Sequence, residues 1–172
     1  MPSVNRPTST REDVRARRAR QRWMGILARA STEELERSLP DPLPEGGYSL
    51  LRRPETGSVM LRGRAGGTGE RFNLGEATLT RCTLRLPDGT TGFGYVMGRN
   101  PRHAELAALF DALLQLSERR EHLMERVIEP LARQQEERRQ AITARAATSK
   151  VDFFTMVRES GLGESGLGES GA

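Results

Sequence analysis

The sequence predicts an α+β fold: a small, mainly antiparallel sheet of about four strands, with helices before it and a helical segment packed on it after. Strand-like alternation is confined to residues 48–97, and helical periodicity fills the chain on both sides. The connections between the predicted strands are too short for crossover helices. At 172 residues the chain suits one domain. We place that domain at residues 9–158, and predict that residues 1–8 are disordered and residues 159–172 form a flexible, low-complexity tail.

Two helices are predicted before the sheet. Ser9 and Glu12 have the spacing of a capping box, which predicts an arginine-rich helix over residues 9–30. The same spacing recurs at Ser31, where a second, shorter helix should begin. Three closely spaced prolines then predict an extended linker.

Four short strands are predicted from alternation and turn residues. They cover residues 48–52, 57–64, 77–86 and 91–97. The last two flank the tripeptide Pro87-Asp88-Gly89, which is typical of a hairpin turn.

The second half of the domain, residues 100–147, is predicted to be helical. Asn100 is a suitable N-cap and Pro101 a suitable first residue for a helix whose apolar pattern continues to Pro130. A last helix over residues 131–147 is mostly Gln, Glu, Arg and Ala, and it has little apolar face.

Charge and cysteine content exclude several classes of protein. The net charge is +4, but residues 1–30 alone carry +6, so the basic character belongs to the N-terminal segment. Of 27 basic residues 26 are arginine, which fits an anion-handling protein or a codon bias. A single cysteine, Cys82, excludes an internal disulfide. Since no apolar run is long enough for a membrane span and no signal core is present, we expect a soluble cytoplasmic protein.

A glycine-rich turn between two predicted strands is the first candidate site. Its residues are Arg64, Gly66, Gly67, Gly69, Glu70 and Arg71. Backbone amides freed by glycine, flanked by arginines, can hold a phosphate or carboxylate. The spacing is wrong for a Walker A loop and no lysine follows, which makes independent nucleotide hydrolysis improbable. The alternative is a corner of the sheet built from glycines.

A second candidate lies where the long helix should begin. Arg99 and His103 stand at a predicted helix N-terminus, which attracts anions. The alternative is that His103 merely occupies a position in the first turn of the helix and has no role in binding. His103 and Glu105 match half of a zinc-deaminase signature, but the cysteines of its other half are missing, so we expect no metal. No catalytic residue can be assigned.

Two further features point to binding. Phe153 and Phe154, within residues 150–158, are either a partner-docking peptide or a clamp on the domain's own core. The arginine-rich first helix could contact nucleic acid, but no aromatic platform or known motif accompanies it. We expect no nucleic-acid binding.

Over residues 20–158 the chain resembles the PhnG family, the G subunits of the bacterial carbon–phosphorus lyase system. The resemblance rests on four stretches in order. They are R-Q-R-W-M-G-I-L-A, then E-T-G followed by G-R-A-G-G-T-G-E-R-F-N-L-G-E-A-T-L-T-R, then G-R-N-P-R-H-A-E, and S-K-V-D-F-F-T-M-V-R. The arginine-rich N-terminal extension and the Gly-Glu-Ser tail depart from the family pattern.

The resemblance implies a place in an enzyme complex. Members of the family assemble tightly with the I subunit, and with the H and J subunits, while the L and K proteins resemble ATP-binding-cassette proteins. Together G, H, I and L are associated with displacement of adenine from ATP by a phosphonate. ATP would therefore be a co-substrate of the complex, and this chain alone would bind no cofactor. The candidate residues would face a shared site or the interface with the I subunit. The alternatives are a purely structural partner of the I subunit and a basic nucleic-acid-binding module.

Overall fold

In the part of the chain that the structure describes, the sheet consists of three antiparallel strands. They are β1 (Ser49–Arg64), β2 (Arg71–Arg85) and β3 (Thr91–Met97), in that order across the sheet. The computed structural model describes residues 10–39 and 46–148. The predicted α+β class is confirmed, but the prediction of about four strands is wrong.

The error in strand number lies in the first hairpin. The predicted strands at residues 48–52 and 57–64 are one strand, because β1 runs through Pro54 and absorbs the irregularity as register shifts on both sides of Arg52. Pro and Gly in a strand pattern suggest a break, but on an edge strand they are compatible with a bulge. β2 likewise begins at Arg71, six residues before the predicted start at Ala77.

Within the described parts of the chain, five helices lie on one side of the sheet. They are α1 (Arg11–Leu27), α2 (Thr32–Arg37), α3 (Pro101–Leu113), α4 (Ser117–Leu123) and α5 (Glu129–Thr148), with a π-helical turn, Met124–Ile128, joining the last two. None of the helices in the described parts of the chain is both long and apolar enough to cross a membrane.

The start of α1 differs from the prediction by one residue. The capping box is formed by Thr10 and Asp13 instead of Ser9 and Glu12: Asp13 N donates to Thr10 Oγ1 at 3.2 Å, and Thr10 N donates to Asp13 Oδ2 at 2.9 Å. The helix ends at Leu27, three residues earlier than predicted. For α2 the predicted box of Ser31 and Glu34 is confirmed.

The long helix predicted up to Pro130 is divided into two. α3 ends at Leu113, and the Arg120 guanidinium donates to the carbonyls of Leu114 and Gln115, both at 2.9 Å, in the connection to α4. Arg120 thus satisfies carbonyls that a helix end leaves without partners. Pro130 does not end a helix but lies in the first turn of α5, directly after the π-helical turn, where a missing N–H costs little.

α3 forms the centre of the core. Nearly all of its residues are buried, since β2 and β3 cover one side and α1 and α2 the other. Gly92 and Gly94 of β3 allow the backbones to meet: a Cβ at Gly94 would lie 1.9 Å from Ala104 O, and one at Gly92 would lie 2.0 Å from Ala108 O. The predicted hairpin turn at Pro87-Asp88-Gly89 joins β2 to β3, with Gly89 at φ +90°.

The first hairpin projects beyond the third strand. β3 pairs with β2 only from Leu79 to Arg85, whereas β1 and β2 stay paired out to Arg64 and Arg71. Residues 58–78 therefore form a two-stranded ribbon, which we call the arm. From Leu79 to Arg71 is eight residues along β2, or about 26 Å at the usual rise of a strand.

Candidate functional site

The glycine-rich turn is the tip of the arm. A single 3-10 turn, Ala65–Gly67, reverses the chain, and Gly66 has a left-handed conformation at φ +57°. Gly69 is needed for another reason: a Cβ there would lie 2.6 Å from Ala65 O. The glycines therefore build a compact reversal that side chains would disturb.

Two of the turn's amides are already used. Thr68 N and Gly69 N both donate to Ala65 O, the second at 2.8 Å. Only the remaining N–H groups could meet an anion, so the backbone alone is a weak cradle. This geometry favours the glycine-built corner as a description of the backbone.

The charged groups at the tip are open to solvent. Arg64 donates to Gly69 O at 3.2 Å. Arg71 and Glu70 are exposed, and among the residues that the structure describes neither forms an ion pair. An anion or a partner could therefore reach the arginines from outside. Any anion bound at the tip would therefore be held mainly by guanidinium groups and not by backbone amides.

His103 lies in the first turn of α3, as predicted, but its ring is buried. Asn100 Oδ1 accepts from His103 N at 3.0 Å, which confirms Asn100 as the N-cap. The ring Nε2 lies 2.8 Å from Leu27 O. Since a carbonyl only accepts, Nε2 carries the proton and donates it to the end of α1. His103 thus joins two helices, and its Nε2 does not face solvent.

The structure does not bring the two candidate groups together. Arg99 is exposed beside the end of β3, and the tip with Arg71 lies at the far end of the arm, about eight residues of strand away. Arg99 and His103 could share an anion with the tip only across a partner. Within one copy they are separate surfaces.

A buried hydroxyl fixes the segment before α3. Thr80 is fully buried; its Oγ1 donates to Gly98 O at 2.6 Å and accepts from Asn100 N at 3.2 Å. Asn100 Nδ2 also donates to Thr32 Oγ1 at 2.8 Å. These contacts hold Arg99 at a defined place on the surface. Neither Thr80 nor Thr32 was identified from the sequence, because a lone threonine gives no signal before its partners are known.

A second polar group lies next to this segment. Tyr48 OH donates to Glu105 Oε1 at 2.6 Å, and Arg102 Nε donates to Glu36 Oε1 at 3.0 Å. Burial, and then the bond to Glu105, raise the pKa of Tyr48 to about 12. The phenol is therefore a proton donor at neutral pH.

The described residues offer little of their own for covalent chemistry. Burial raises the pKa of the Cys82 thiol to about 11, so it stays protonated at neutral pH. No three His, Cys, Asp or Glu side chains within residues 10–39 and 46–148 are placed to hold a metal ion. The predicted docking residues Phe153 and Phe154 lie outside the described residues.

Sequence reasoning missed the apolar side chains of the arm. Met60, Leu61, Phe72 and Leu74 are all exposed. The sequence predicted a strand over Met60 and Leu61 but began the next strand only at Ala77, after Phe72 and Leu74, and it singled out none of the four as surface residues. The signal that could have identified them is the length of the first hairpin, which exceeds what the third strand can cover.

Comparison with known proteins identifies a family and a similar relative. The family described as "Phosphonate metabolism protein PhnG" matches residues 18–159. The chain is also 46% identical over 144 residues to the "Alpha-D-ribose 1-methylphosphonate 5-triphosphate synthase subunit PhnG" of Rhizobium meliloti (strain 1021). That similarity covers 81% of this chain and 88% of the relative. Both matches include the arm and all of α3.

Proposed function

The chain belongs to the PhnG family, and from that premise we propose that it is a non-autonomous subunit of a phosphonate ribosyl triphosphate synthase. The complex would displace adenine from ATP with a phosphonate, giving a ribose 1-phosphonate 5-triphosphate. The observation that carries this proposal is the 46% identity to a named subunit of such a synthase, over 88% of that relative's length.

The reaction explains why exposed arginines would be useful. A phosphonate oxygen forms a bond to the ribose carbon while the bond from that carbon to adenine breaks and its electron pair leaves with the base. Phosphonate, triphosphate and departing base carry negative charge in one place. Guanidinium groups fixed nearby offset that repulsion most strongly where the charge develops.

The proposed partners are other proteins of the same system. We propose direct binding to the I subunit, assembly with the H and J subunits, and cooperation with the L and K proteins. ATP and the phosphonate would be bound at the level of the complex in the cytoplasm, and this chain alone would hold no cofactor. The tip residues Arg64, Glu70 and Arg71 would face a shared site or the interface with the I subunit.

Reconstitution tests the proposal directly. The purified G, H, I and L proteins are incubated with ATP and methylphosphonate, and free adenine is measured over time. Omission of this chain is expected to abolish adenine release, and Arg71→Ala is expected to lower it by about a hundredfold if the arginine offsets transition-state charge. Arg15→Ala is the control, because Arg15 is also an exposed arginine but lies on α1, away from the sheet. Full activity without this chain would refute the proposal.

A second candidate is a purely structural partner of the I subunit. The self-satisfied turn at the tip and the buried ring of His103 favour it. It differs from the first in one result: omission of the chain would abolish activity, while Arg71→Ala in an intact complex would leave adenine release near the wild-type rate.

A further inference from the structure

Exposed apolar side chains are concentrated on the sheet. Of the ten large hydrophobic residues that the described parts of the chain expose, eight lie on strands and only Val14 and Ile142 lie on helices. The arm supplies four of them, and Leu50, Leu51, Tyr95 and Met97 supply the rest. A clustered distribution of this kind marks an interaction surface, unlike scattered single residues.

The arm and the sheet form one continuous apolar strip. Side chains alternate along paired strands, so the register places Leu61, Val59 and Ala77 on the same face as Met97 and Tyr95. This face points away from α3, because Gly92 and Gly94, which contact that helix, lie on the other face of the sheet. No helix of the described chain covers the strip.

The arm also lacks the support that a ribbon needs. A two-stranded hairpin in water is marginal unless a third strand or a helix packs on it. β3 stops at the level of Leu79. Near the tip, the Phe72 ring lies over its cross-strand neighbour Gly63, with Cζ 3.3 Å from where a Cβ would stand, and the side chain is still 47% exposed. A binding partner would supply the missing layer.

The charge of the hairpin indicates what that partner is. Residues 49–85 carry seven arginines and three glutamates, a net charge of +4. Arg62 and Arg71 form no ion pair with any described residue. A second copy of this chain would set one positive hairpin against another, which opposes association. Carboxylates on a different chain would complement it.

We propose that the arm and the open face of the sheet dock on another protein subunit, whose contact surface is apolar with carboxylates at its rim. The inference rests on the proposed function for the statement that this partner belongs to the synthase. A protein surface fits better than nucleic acid, because three of the four exposed apolar side chains of the arm are aliphatic and offer no stacking surface for bases.

Co-purification tests this inference. The full chain, with an affinity tag, is co-expressed with its H, I and J subunits and recovered at low and high salt. Leu61→Ser with Leu74→Ser on the arm is compared with Val14→Ser with Ile142→Ser on the helices. The pairs are matched, since the exposed fractions are 38% and 65% in the first and 37% and 68% in the second. Circular dichroism checks that each variant folds.

The arm variant is expected to lose at least tenfold in recovered subunits, while the helix variant recovers them at the wild-type level. Arg62→Glu is expected to lose recovery at low salt, and Arg15→Glu is its control on α1. Equal recovery by the arm and helix variants overturns the inference alone. No recovery by the wild-type chain overturns the proposed function as well. An arm variant that still assembles, but no longer binds single-stranded RNA or phosphatidylserine vesicles, would show that the occupant is of another class.

Discussion

Asp111 is a fully buried carboxylate whose oxygens are surrounded by donors. Arg20 donates to it through Nε at 3.1 Å and Nη2 at 2.7 Å, Trp23 Nε1 donates at 2.9 Å, and Phe93 N donates at 2.9 Å. One side chain of α3 thus holds α1 and the outer edge of β3. Buried charge is tolerated here because it is paired and fully hydrogen-bonded.

Removing that carboxylate should destabilise the fold. Asp111→Ala leaves the Arg20 charge and the two N–H groups without their acceptor, and we expect a loss of about 3–5 kcal/mol in the free energy of unfolding. Asp111→Asn keeps part of the hydrogen bonding and should lose less. Urea denaturation measures both, with the exposed Glu125→Ala as control. A loss below about 1 kcal/mol for Asp111→Ala would contradict this account.

Tyr48 gives stability a dependence on alkaline pH. Its pKa rises from 10.0 to about 12 on folding, so between these values the folded chain binds the phenolic proton more tightly than the unfolded chain. Stability should therefore be intact below pH 10 and fall as the pH rises through that range. Melting temperatures from pH 8 to pH 11 test this. In Tyr48→Phe the contribution of this group to the decline should vanish, and an unchanged slope would refute the assignment.

At this scale the sequence predicted positions better than contacts. The N-cap role of Asn100 follows from residue type and spacing, because a cap bonds to residues three places away. The partners of His103 and Asp111 are 76 and 88 residues distant, at Leu27 and Trp23. A local sequence pattern cannot indicate a contact between residues so far apart, so the role of His103 in joining two helices could not be predicted.

Among the elements, β3 and α3 depend on two glycines. Gly94→Ala would place a Cβ 1.9 Å from Ala104 O, which forces the strand away from the helix. We expect a loss of about 3 kcal/mol or more. Gly57→Ala is the control: a Cβ there meets nothing within 4 Å, and the substitution should change stability by less than about 1 kcal/mol. Similar melting temperatures for the two variants would mean that the close approach is unimportant.

Elements were predictable where caps and turns are local. The starts of α2 and α3 and the turn between β2 and β3 follow from their own sequences. The number of strands could not be predicted in this way, because Pro54 lies inside a strand whose register shifts around it. The division between α3 and α4 depends on the Arg120 side chain, which periodicity cannot register.

For the molecule as a whole, the arm should be separable from the core. Replacing residues 59–77 by Asn-Gly would join Ser58 to Thr78, which are already paired across the hairpin, through a favoured two-residue turn. The buried core lies on other residues, so we expect cooperative unfolding with a melting temperature within a few degrees of wild type. Calorimetry decides this, and loss of the cooperative transition would show that the arm belongs to the folding unit.

Recognition of the family from sequence was possible because its motifs are long and ordered along the chain, and the family match and the relative confirm it. Motifs could not show, however, whether Arg71 and His103 belong to one surface. The tip and the start of α3 are brought near or kept apart by the length of β2 relative to β3. Motif reading carries no information on that length difference.

The projecting arm has a consequence for the cell that makes this chain. A copy that has found no partner displays an uncovered ribbon edge and a row of apolar side chains, the features that promote aggregation and expose a protein to quality-control proteases. Surplus copies are therefore expected to be lost instead of stored. The amount of working enzyme is then set by the scarcest subunit, and overproducing this chain alone should yield inclusion bodies without raising phosphonate consumption.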